Sequence, residues 1–114
     1  MSDQRFDYLL SRYREYAEFQ LATDGEGLGL LGARQDLATN NINFSEVFEL
    51  DELVIESIQD ADYINPLLLD GHPNRPLTEW WWHLGKLRTG TYPAHLLPPH
   101  LQAIYQPADR REAA

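Results

Sequence analysis

The sequence predicts a mainly α fold, a single compact domain of about four helices with a glycine-rich loop between the first two. Apolar residues recur at three- and four-residue steps over 3–22 and again over 45–60, the period of a helix with one buried face. Capping residues stand before those runs, and glycine or proline punctuation follows them. At 114 residues with 43% hydrophobic content, the chain is long enough to bury a core and contains no cysteine to staple one. The domain is expected over 1–107, with a frayed tail over 108–114. An α+β fold with a small sheet is the alternative, because Leu53 to Ile58 is a short run rich in the β-formers Val and Ile.

In the first helix, Phe6, Leu9, Leu10, Tyr13, Tyr16 and Ala17 form the stripe, and Ser2 or Asp3 is placed to cap it. Asp24-Gly25-Glu26-Gly27 should end that helix and open a loop lasting to Asn43, with further glycines at 29 and 32. The second helix runs from a Ser45 cap to Asp60 or Asp62. Val47, Phe48, Leu50, Val54, Ile55 and Ile58 share one side, and Glu46, Glu49, Glu52, Glu56 and Asp60 share the other. Asp51 and Leu53 break the pattern. Pro66 to Pro76 reads as loop. Thr78 should cap a third helix ending near Arg88, and Pro98-Pro99 should open the last. Trp80, Trp81 and Trp82 point about 100° apart on an α-helix, so packing under neighbouring loops competes with exposure of one indole at a seam.

Charge is distributed unevenly. The chain has 18 acids against 9 bases, a formal −9. The window 35–74 holds nine of those acids (Asp36, Glu46, Glu49, Asp51, Glu52, Glu56, Asp60, Asp62 and Asp70) and no Lys or Arg. The other nine acids balance the nine bases, so the whole excess falls in the window. Crowded carboxylates repel one another until something cationic relieves them, and a solvated acidic face is the simplest alternative. This sign of charge argues against nucleic acid, whose phosphates require Lys and Arg. No apolar run approaches membrane-spanning length and the N-terminus lacks a signal segment, so no membrane partner and a cytoplasmic location are expected.

The residues that chemistry needs are scattered. His72, His83, His95 and His100 have no metalloprotease spacing, the serines have no nucleophile-elbow context, and the glycines lack the Lys-Ser/Thr of a phosphate loop. The chain is therefore not expected to be an enzyme. Two loci suit a hard cation better. Asp24 and Glu26 stand two apart, with Asp36 further along, and Asp60 and Asp62 stand two apart at a helix end. Both resemble the opening of an EF-hand loop and both lack its closing Glu, so neither is one. A tight turn packing its leucines, and an ordinary helix-end turn, are the structural alternatives.

The segments Tyr13-Arg14-Glu15-Tyr16-Ala17, Asp24-Gly25-Glu26-Gly27, Trp82-His83-Leu84, Gly90-Thr91-Tyr92-Pro93 and Leu101-Gln102-Ala103-Ile104-Tyr105, around an acid-only middle, resemble the cyanobacterial calcium-binding protein family CcbP. That resemblance implies Ca²⁺ binding without EF-hands and a role as a cytoplasmic buffer or sensor in calcium signalling. The leading expectation is a calcium-binding protein using clustered carboxylates, with a basic regulatory protein as a second partner. The competing expectation is an acidic interaction module, or a nucleic-acid mimic, seated in a basic groove. A helix face offers only side-chain oxygens, so the tighter site is expected at Asp60 and Asp62, or at Asp24, Glu26 and Asp36.

Overall fold

Helix α1 spans Ser2–Glu15 and runs on as a π turn over Tyr16–Gln20. Of the expected stripe, Leu9, Leu10, Tyr13 and Ala17 are buried and Tyr16 packs against the same core, and the Phe6 side chain lies outside the described residues. A computed structural model describes residues 2–20, 29–42, 45–64, 66, 68–69 and 72–108, with side chains from Asp7 onward except 19 and 20.

The expected loop over 24–43 is corrected in its second half. Gly29–Thr39 is a helix, α2, burying Leu30, Leu31, Ala33, Arg34 and Leu37. A glycine in a helix costs about 1 kcal/mol relative to alanine, whereas each fully buried leucine contributes about 1.5–3 kcal/mol. Three buried leucines outweigh two glycines, and α2 packs along α1 as its nearest neighbour. Asn41, at φ 57, turns the chain out of α2.

Helix α3, Ser45–Asp60, follows the expected bounds and buries Val47, Leu50, Val54, Ile55 and Ile58, together with Asp51. Leu53 to Ile58 is therefore helical, and the described residues contain no strand, so the fold is mainly α. Acids in the last turn of α3 oppose the helix dipole, and the fold supplies the cation. Arg88 Nη1 donates to the Ile58 carbonyl at 2.7 Å, and Nη2 to that of Asp62 at 3.4 Å.

The third expected helix is shorter and starts differently. Trp80–His83 forms a 3₁₀ turn with no side-chain cap, so Thr78 does not cap it, and α4 follows over Leu84–Thr89. Side chains in a 3₁₀ turn are about 120° apart, yet all three indoles are buried because the turn lies inside the core against α2. Gln35 Oε1 accepts from both Trp81 Nε1 (3.1 Å) and Trp82 Nε1 (2.7 Å), which leaves no exposed indole seam. Gly90 ends α4 at φ 80. Its carbonyl accepts from Ala108 N–H at 2.9 Å, so the first residue of the expected tail is held in place. A second 3₁₀ turn, Ala94–Leu96, leads to α5, Pro99–Gln102, which packs on α3. No helix among the described residues is long and apolar enough to cross a membrane.

Candidate functional site

The expected cation ligands fall into separate places. Asp24 and Glu26 lie outside the described residues. Asp36 sits on α2 with its carboxylate 2.8 Å from Arg12 Nη1, and its backbone carbonyl accepts from the backbone and side-chain amides of Asn40. Asp60 ends α3 and Asp62 follows in the next turn, both exposed. Among the described residues, no three acidic or imidazole side chains are gathered as a metal cage.

The outer face of α3 carries the acids as a row. Glu49, Glu52, Glu56 and Asp60 recur at three- and four-residue steps, one helical turn apart, so they are neighbours along a ridge. Glu46, at the start, reaches Arg14 at 3.9 Å, and Asp51 is turned inward to Arg34. Among the described residues, none of the four ridge carboxylates has a Lys or Arg within ion-pairing distance. Where the ridge meets the helix end, Glu56, Ser57, Asp60 and Ala61 line an open hollow of about 310 Å³. Carboxylate and hydroxyl oxygens are the donors a hard cation takes. The carbonyls of Ile58 and Asp62 beside it are already held by Arg88, so a cation here would be bound by side chains and water.

A second constellation lies inside the core, and sequence reasoning missed it. Asp51 is fully buried and accepts from Arg34 twice, Nε to Oδ1 at 2.8 Å and Nη2 to Oδ2 at 3.1 Å. Tyr13 hydroxyl donates to the same Oδ1 at 2.6 Å, and His100 Nε2 stands 3.4 Å from Oδ2. The Arg34 guanidinium lies 4.5 Å from the Trp81 ring centroid, with Trp80 and Tyr13 at 5.8 and 5.9 Å. Burial first, and then the Asp51 charge, push the Tyr13 hydroxyl well above its usual range, so it stays protonated as a donor; Arg34 offsets this in part. Four segments thus meet on one carboxylate: α1, α2, α3 and α5.

The signal that could have found this cluster is Asp51 itself. Val47, Leu50, Val54 and Ile55, at positions −4, −1, +3 and +4 from it, are all buried. An acid among such neighbours points inward, and an inward acid requires a buried cation. Beside the cluster, Arg34, Phe48, Pro98, Pro99 and His100 line a partly open cleft of about 380 Å³.

Comparison with family models, curated proteins and solved structures finds no match to this chain. The resemblance drawn from its sequence therefore rests on the residues quoted for it.

Proposed function

We propose that the chain is a cytoplasmic calcium-binding protein in which the outer ridge of α3 gathers the ion. The observation that carries this reading is the row Glu49, Glu52, Glu56 and Asp60, which keeps no cationic partner among the described residues while Arg12, Arg14 and Arg34 pair with other acids. Like charges one helical turn apart oppose the fold by a few tenths of a kcal/mol per pair, and a divalent cation removes that repulsion as it binds. Glu56 and Asp60 would hold the ion with the Ser57 hydroxyl beside them, and Asp62 adds charge just beyond the helix end. With few protein oxygens, the ion keeps much of its water. A site with so few protein oxygens belongs at the weak end of the calcium range, about 10⁻⁴–10⁻³ M, and binds less tightly than the dedicated loops of cytosolic buffers and sensors.

Calorimetric titration with Ca²⁺ and Mg²⁺ tests the proposal. Ca²⁺ should bind saturably and more tightly than Mg²⁺, which dehydrates reluctantly and demands a closer octahedron. Replacing Glu56 and Asp60 together by Gln and Asn should weaken Ca²⁺ at least about tenfold, or about 1.4 kcal/mol. Equal responses to the two ions, unchanged in that variant, would leave an acidic interaction surface as the better reading.

A further inference from the structure

We propose that the cleft beside the Arg34–Asp51 pair binds a small carboxylate with an apolar body. This inference is independent of the cation ridge. A guanidinium has five N–H donors, and Asp51 occupies only the Nε–Nη2 edge. Nη1 is buried and has no partner among the described residues. A buried donor left unmatched costs about 1–3 kcal/mol, more when charged, so a cluster that satisfies Asp51 four ways is unfinished at Arg34. Arg34 is also part of the wall of a cleft of about 380 Å³, within the size range of small-molecule sites. Such a site suits a ligand whose oxygens match the remaining guanidinium edge, which a carboxylate does with two parallel bonds.

The remaining walls define the rest of the ligand. Phe48, Pro98 and Pro99 are apolar, and the Phe48 ring packs on the His100 ring at 4.4 Å between centroids. A flat or short aliphatic body therefore has surfaces to cover. His100 is the wall residue with a titratable side chain in contact with solvent, at 21% exposed.

Arg34 and Asp51 together are neutral, so an incoming carboxylate is held by hydrogen bonds to the free guanidinium edge rather than by a net positive charge. The distant −9 opposes any anion but is screened beyond about 8–10 Å at physiological salt, whereas contacts inside the cleft are not.

Phenylacetate and its neutral amide are the probes. They can be titrated into the full chain, followed by calorimetry and by the Arg34 guanidinium resonances in NMR spectra. The acid should saturate, exceed the amide about tenfold, and shift the Arg34 signals. Arg34 need not be replaced, since its own resonances report the contact even if its variants fail to fold. No saturation by about ten millimolar, equal binding of acid and amide, or unmoved Arg34 signals would overturn the proposal.

Discussion

Asp51 interrupts an otherwise regular amphipathic pattern, and in the fold that interruption holds four segments together. Arg34, Tyr13 and His100 come from three different segments to meet it. Removing one member of a buried ion pair strands the other, so Asp51→Leu and Arg34→Met should each cost about 3–5 kcal/mol in urea unfolding. The double variant should lose far less than the sum, because no unpaired charge remains. Additive losses would mean that the pair is not coupled. Tyrosine titration sets a second expectation. Burial, helped by Tyr105, raises the Tyr92 hydroxyl to about 12, and Tyr13 is raised in the same direction. The stability these protonated groups contribute is complete below pH of about 10, where the unfolded phenol keeps its proton, and is lost as pH rises through their folded values. Circular dichroism against pH should show unfolding in that alkaline window, and Tyr92→Phe should make the loss less steep. Asp51 was visible in the sequence as an exception, but its partners were not, because contacts from 17 to 49 residues away leave no local periodicity.

Among the elements, α1 and α3 were legible because each carries a full stripe at helical spacing. Helix α2 was not. Its glycines carry a strong local turn signal, and the leucines that override it gain their energy only when packed on α1. Of the two readings of the tryptophan run, packing under its neighbours holds, although the element is a 3₁₀ turn rather than the start of an α-helix. Consecutive large side chains imply one exposed face only if the element lies at the surface, and this one is enclosed. Gln35 makes that enclosure possible by accepting from two indoles, so Gln35→Leu should cost about 1–3 kcal/mol through stranded N–H donors. Gly90 was legible as a helix stop, and the fold adds a second demand on it. A side chain there would run into the Ala108 backbone and would also carry the strain of φ 80. Gly90→Ala should therefore lower stability by more than the 1–2 kcal/mol or so of left-handed strain alone. An unchanged urea midpoint would contradict the packing of the C-terminal segment on α4.

At the scale of the molecule, the acid-only window is less isolated than its sequence suggests. Arg12, Arg14, Arg34 and Arg88 all come from outside it to meet Asp36, Glu46, Asp51 and the end of α3. What they leave uncovered is the ridge, which was legible in the sequence from the spacing of its acids. Of the candidate loci, Asp60 and Asp62 share the helix end, whereas Asp36 is engaged with Arg12 on a different helix. Changing Glu49, Glu52 and Glu56 together to Gln should raise metal-free stability by up to about 1 kcal/mol as repulsion is relieved. A clear loss would show that those carboxylates have partners. The most direct test of calcium binding is the melting temperature in CaCl₂ and in NaCl at matched ionic strength. Binding at ten times its Kd adds about 1.4 kcal/mol, a rise of several degrees for a domain of this size. The account predicts that rise for CaCl₂ beyond the NaCl shift, and its reduction in the Glu56→Gln, Asp60→Asn variant; identical shifts in the two salts would mean plain screening and would contradict it.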